Sequence, residues 1–148
     1  MKPSMRTLAH VGEWRIEVRA DSREEVFAEV ARQIARAAGP TVGSDGDWER
    51  VALAARDDAT LLVDWANELI GRGEAAGRAY AEVRNIALAP SGDTPAASTA
   101  AFQRSQLTAE IRGRRVPEWR SPLKAATYHG AAFERRRTRW FAALLFDI

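Results

Sequence analysis

The amino-acid sequence predicts an α+β protein, a two-layer sheet of about six mainly antiparallel strands packed with two helices. Three observations carry that expectation. Several short segments alternate apolar and polar residues with the period of a half-buried strand. Two longer segments repeat apolar residues at helical spacing behind a capping residue. The later strands are joined by connections of hairpin length, which suit antiparallel neighbours.

The elements follow in order. Over residues 14–20, Ile16, Val18 and Ala20 share one face while Arg15, Glu17 and Arg19 share the other, which makes a strand. Ser22 with Glu25 three residues on forms a capping box. The helix it opens aligns Val26, Phe27, Val30 and Ile34, and Gly39-Pro40 ends it. Residues 41–47 read as a polar turn region, after which Val51, Leu53 and Ala55 alternate as a second strand. Asp57 or Asp58 caps a second helix that turns Leu61, Leu62, Trp65 and Leu69 inward and stops near Gly71-Arg72-Gly73.

Residues 79–89 form a less regular strand, and Ser91-Gly92-Asp93-Thr94-Pro95 signals a loop. Leu107, Ala109 and Ile111 mark another strand, followed by a basic, proline-interrupted connection over residues 113–122. The last two strands, residues 123–134 and 139–148, are joined by the run Arg135-Arg136-Arg137-Thr138. The final one is apolar on both faces and belongs in the sheet interior.

At 148 residues, all of these elements fit one domain over residues 1–148. There is no cysteine, which excludes disulfides, thiolate metal sites and a cysteine nucleophile. No stretch approaches the roughly 18 apolar residues of a membrane span. The N-terminal segment lacks a signal-peptide core, so the expected location is cytoplasmic with no membrane partner. Net charge is +2, and apart from Lys2 and Lys124 every basic residue beyond the two histidines is arginine. That bias, with abundant alanine, reads as a coding background rather than a nucleic-acid footprint.

Four clusters could carry chemistry. His10-Val11-Gly12-Glu13 precedes the residue 14–20 strand, and its plainer reading is a solvated polar loop. Lys124-Ala125-Ala126-Thr127-Tyr128-His129 sends Lys124, Ala126 and Tyr128 to one face and Ala125, Thr127 and His129 to the other. There the plainer reading is a mixed strand whose polar tips satisfy backbone groups. At Asp147-Ile148 a side-chain carboxylate and the main-chain carboxylate stand together. Two such charges about 4 Å apart repel by roughly 4 kcal/mol at an effective dielectric near 20. A cation, a nearby Lys or Arg, a raised pKa or plain solvation would each relieve that. The run Arg135 to Arg139 suits a solvated hairpin tip or a phosphate contact, and the sequence does not choose between them. Phosphate-loop, HExxH, GxSxG and EF-hand patterns are absent. Two histidines exclude a multi-histidine zinc site, so any metal would be held mainly by oxygen, which favours a hard cation such as calcium, magnesium or manganese.

Read in order, these segments resemble the archease family. The likeness runs from His10 to Glu13, through Asp21-Ser22-Arg23-Glu24-Glu25-Val26-Phe27 and the stretch LLVDWANEL from Leu61 to Leu69. It continues at Lys124 to His129 and closes at Phe146-Asp147-Ile148, covering nearly the whole chain. The resemblance implies a non-enzymatic accessory factor, with no catalytic residues of its own, for an RtcB-type RNA ligase. Such factors promote guanylylation of the ligase from GTP in tRNA splicing or RNA repair, and meet RNA indirectly through the ligase.

It also implies a divalent metal ion, calcium first, with manganese or another divalent ion as alternatives. The family's ligands carry over to Glu13, Asp147 and the carboxylate of Ile148, with His10, Lys124, Thr127 and His129 as second-layer or partner-contacting groups. Three positions depart from the family pattern. Glu13 stands where the family has aspartate, adding roughly 1.5 Å of reach. Gly12 replaces an alanine, and Gly113-Arg114-Arg115 is basic where a glycine followed by an acid is expected. The competing functions are a divergent protein- or RNA-binding module without ligase activation, and a stand-alone metal-dependent phosphohydrolase.

Overall fold

In the computed structural model, which describes residues 3–10, 12–90 and 104–148 (backbone only over 4–10), the chain begins with a strand the sequence did not suggest. This strand, β1 (Ser4–His10), pairs antiparallel with β2 (Glu13–Ala20) in register from Ser4 opposite Arg19 to His10 opposite Glu13. Gly12 lies between them at φ +80°, a left-handed conformation that alanine would adopt only with strain. The hairpin therefore accounts for a glycine at this position.

Helix α1 (Arg23–Ala38) starts where the capping pattern places it, with Ser22 Oγ accepting the Glu25 N–H at 3.2 Å. Only that half of the capping box forms, because Glu25 Oε2 is buried without a hydrogen bond. Val26, Phe27, Val30 and Ile34 are buried as expected. After β3 (Glu49–Ala55), Asp57 caps α2 (Asp58–Ala76), accepting the Thr60 N–H at 2.8 Å. Asp58 is occupied otherwise: it pairs with Arg23 Nη2 at 2.7 Å.

Helix α2 runs past its expected stop at residues 71–73 and ends at Gly77 in the left-handed conformation. The reason is tertiary. Gly73 lies under the Trp119 ring, which a Cβ would meet at 2.8 Å, so this glycine marks close packing instead of a helix end.

The remaining strands are β4 (Arg78–Ala89), β5 (Ser105–Arg115), β6 (Ala125–Arg136) and β7 (Arg139–Asp147). Strand β5 reaches three residues into the connection expected at 113–122, and Leu123 is buried just before β6 starts. The expected loop at residues 91–95 lies outside the described residues. Among the described residues there are seven strands, one more than the reading of about six, and all pairs are antiparallel.

They form a larger sheet in the order β1-β2-β7-β6 and a smaller one in the order β3-β5-β4. Strand β7 is interior, as its two apolar faces required. The sheets are the two expected layers, and both helices contact both of them. Residues from both sheets and both helices share one core, which explains why Leu61, Leu62 and Val63 are all fully buried on successive positions of α2.

Candidate functional site

The hydrogen-bond ladder of the larger sheet aligns one end of four strands. His10 lies opposite Glu13, Glu13 opposite Asp147, and Asp147 opposite Ala125. Residues directly opposite on neighbouring strands project to the same face with Cβ atoms about 4.5–5.5 Å apart. Glu13 and Asp147 are therefore adjacent carboxylates on the outer face, and both are exposed. The Ile148 N–H donates to the Gly12 carbonyl at 3.2 Å, and the Lys124 N–H donates to the Asp147 carbonyl at 2.8 Å. Two main-chain bonds thus fix residues 147 and 148 against the β1–β2 turn and the start of β6.

Among the described residues no cation pairs with either carboxylate. Like charges directly opposite in a sheet destabilise it. Among the described residues neither carboxylate makes a hydrogen bond or ion pair. Arg15, the next residue on the same face of β2, is committed to Glu17 at 3.3 Å. Lys124 is exposed beside the site.

The other expected site residues fall at graded distances. Thr127 is opposite Leu145, one step of the ladder away from the Ala125–Asp147 pair, and its Oγ1 donates to the His129 carbonyl at 3.3 Å. His129 is exposed within the register shift between Thr127 and Ala132, where simple alternation along β6 breaks down. The backbone of His10 joins the row; its side chain lies outside the described residues. The structure thus brings Glu13, Asp147, Ile148 and Lys124 together, keeps Thr127 near, and sets His129 further along the strand.

Sequence reasoning missed how α2 holds this end of the sheet. Asn67 Nδ2 donates to the Ala126 carbonyl at 3.0 Å while its Oδ1 accepts the Ala126 N–H at 2.8 Å. The side-chain amide acts as one more strand for β6, an edge strand. One turn earlier, Asp64 accepts the Tyr128 hydroxyl at 2.5 Å. That bond, ahead of burial, pushes the Tyr128 hydroxyl above its ordinary pKa and keeps it a donor. Trp65 between them is fully buried and donates Nε1–H to the Phe27 carbonyl at 3.0 Å, joining the helices. A signal was present: Asp64 and Asn67 are polar residues spaced i, i+3 on a helix otherwise buried around them.

Among the described residues no group of three His, Cys, Asp or Glu side chains is placed to hold a metal. The expected ligand set contains two such side chains, Glu13 and Asp147, and a main-chain carboxylate.

The model of the archease protein family (MTH1598/TM1083) matches residues 5–148. The chain belongs to the archease family. The solution structure of protein 1598 from Methanobacterium thermoautotrophicum superposes with a TM-score of 0.74 at 19% identity, covering 100% of each chain. The crystal structure of an archease from Thermotoga maritima, described as a possible chaperone, gives 0.63 at 18% identity over 97% of this chain and 96% of that one. At those identities the two structures establish the archease fold and nothing finer. A comparison with curated proteins finds no match. Among the described residues of this archease, no helix is long and apolar enough to cross a membrane.

Proposed function

We propose that this archease is a metal-binding accessory factor, not itself an enzyme, that activates an RtcB-type RNA ligase by promoting its guanylylation with GTP. The observation that carries the reading is the Glu13–Asp147 pair, two exposed carboxylates opposite one another with no counter-charge among the described residues. A fold that holds such a pair in register, with Ile148 tied to Gly12, tolerates a repulsion that a bound cation removes. The donors are all oxygen, which fits a hard divalent ion, calcium first. Glu13, Asp147 and the Ile148 carboxylate would hold it. When bound, the ion supplies charge neutralisation of the kind on which phosphoryl and nucleotidyl transfer depends.

The chain's own residues provide the rest. Asn67 and Asp64 fix β6 and with it the position of Lys124, which is exposed and can meet a partner's phosphate or carboxylate. The description of the Thermotoga maritima archease as a possible chaperone agrees with an accessory role.

The test is single-turnover guanylylation of the cognate ligase in a cytoplasm-like buffer with a divalent ion. This archease accelerates it, and Asp147→Asn abolishes the effect. Residues appended after Ile148 convert its acid to an amide and crowd the site, where a displacement of 1 Å costs on the order of 100-fold in rate. An equal N-terminal extension is tolerated. Full activation by both Asp147→Asn and the C-terminally extended protein overturns the reading.

A further inference from the structure

The same outer face that ends in two carboxylates ends, at its other extremity, in arginines. Arg19 lies six positions along β2 from Glu13, about 20 Å of extended chain. At that far end Arg19 lies opposite Phe141, and Arg136 opposite Arg139. The guanidinium carbons of Arg19 and Arg136 lie 5.0 and 3.7 Å from the centre of the Phe141 ring. Arg137 and Thr138 form the tip of the β6–β7 hairpin, with Arg137 at φ +58°. A concavity of about 250 Å³ is lined by Arg19, Arg136, Arg137, Thr138, Arg139, Trp140 and Phe141.

The charges there do not cancel. Arg136 pairs with Glu134 at 2.5 Å and Arg139 with Asp21 at 3.4 Å. Among the described residues Arg19 and Arg137 have no carboxylate partner. Stacking on a ring fixes a guanidinium without consuming its N–H donors, so Arg19 is held in place with its donors open. A second concavity, about 370 Å³, also collects arginines, but there three of the four guanidiniums are occupied, Arg36 being the exception among the described residues. Arg32 bonds Glu29, Arg112 bonds Glu82 and Asp45, and Arg114 bonds the Gly43 carbonyl. The difference is the number of open guanidiniums, one there against Arg19 and Arg137 here, with Arg19 also held on a ring.

We infer that the Arg19–Arg136–Arg137 end of the larger sheet binds the phosphodiester backbone of a nucleic acid, so that this archease touches RNA directly. A polyanion with regularly spaced phosphates needs cations held a few ångströms apart and nothing else. An acidic peptide also needs apolar seats for its side chains, and here the Phe141 ring is already covered by guanidiniums. The inference is independent of the ion and of the ligase.

The experiment is fluorescence anisotropy of a labelled 20-nucleotide single-stranded RNA with the full chain, in EDTA, across a salt series. Two variants of equal charge are compared, Arg19→Ser/Arg137→Ser and Arg32→Ser/Arg36→Ser. All four positions are exposed, and thermal melting verifies that both variants fold. The first variant binds about tenfold more weakly, and its slope of log K against log salt is smaller by roughly 1.4, two phosphate contacts at about 0.7 each. The second binds like the parent protein. Equal weakening in the two variants, or no binding by the parent protein at low salt, overturns the inference. So does displacement of the RNA by polyglutamate at the same charge concentration, which would assign the surface to an acidic protein segment.

Discussion

The seam that α2 makes with α1 and β6 and the tip formed by Glu13 and Asp147 are neighbours, yet they treat polar groups in opposite ways. Along the seam each polar side chain has a partner. Trp65 reaches Phe27, Asn67 brackets Ala126, and Asp64 takes the Tyr128 hydroxyl. At the tip two carboxylates face each other with none among the described residues. Satisfied polar groups in a packed seam hold the fold together. Unsatisfied, exposed, like-charged ones cost stability, and a fold that keeps them has a use for them outside itself. The most recognisable segment of the chain, Leu61 to Leu69, is thus structural, and the modest one at Glu13 is where function is expected.

Substitutions separate the two regions cleanly. The largest effect belongs to the seam: Trp65→Ala leaves a cavity and removes the indole bond to the Phe27 carbonyl, and lowers the free energy of unfolding in urea by about 3–5 kcal/mol. A loss below about 1 kcal/mol would mean that the seam does not hold the fold. At the tip, Asp147→Asn raises stability slightly in EDTA, because it relieves the repulsion with Glu13, but removes the added stability conferred by calcium or manganese. That increment is about 2.7 kcal/mol at 100 times the dissociation constant. Identical melting of the parent protein with and without divalent ion would end the metal proposal.

A smaller effect is expected at Glu13. A site adapted to glutamate's reach binds the ion more weakly in Glu13→Asp and at least as weakly in Glu13→Ala. Equal ion affinity in all three proteins would make Glu13 an ordinary surface residue. The smallest effect tests the start of the seam helix. Asp57→Ala costs about 1 kcal/mol at neutral pH through loss of the cap. The Thr60 N–H, chiefly, holds the Asp57 carboxyl below the usual aspartate range. Its contribution is therefore complete above the unfolded-chain value of about 3.9 and fades as pH falls through the lower folded value. The gap between parent and variant should close in acid, and a gap constant with pH would show that the carboxylate charge is not what caps the helix.

Much of this was legible in the sequence because period and capping are local properties. The inward face of β2, the Ser22 start of α1 and the interior place of β7 all follow from short windows. Strand β1 was not legible, since Ser4, Arg6 and His10 alternate only with Met5, Thr7 and Ala9, a weak apolar face. The choice between Asp57 and Asp58 as cap depended on Arg23, thirty-five residues away. The Asn67 bracket and the Tyr128–Asp64 bond join segments about sixty residues apart, and no local pattern reveals such pairs. At the site, the resemblance supplied Glu13 and Asp147 as expectations, and the register adds that they are direct neighbours. The shift in β6 falls at His129, where no local pattern marks a break in register.

Strand β7 has one further consequence, for the order in which the molecule is made and undone. The larger sheet consists of two local hairpins, β1–β2 and β6–β7, joined along a single boundary between β2 and β7. Each hairpin closes quickly from within a short stretch of chain, whereas the boundary joins residues more than one hundred positions apart and forms late. Glu13 sits on one side of it and Asp147 on the other. An ion at the tip would act as a clasp across that last-formed boundary, absent while the hairpins are still separate. Such a clasp slows unfolding and leaves the folding rate almost untouched.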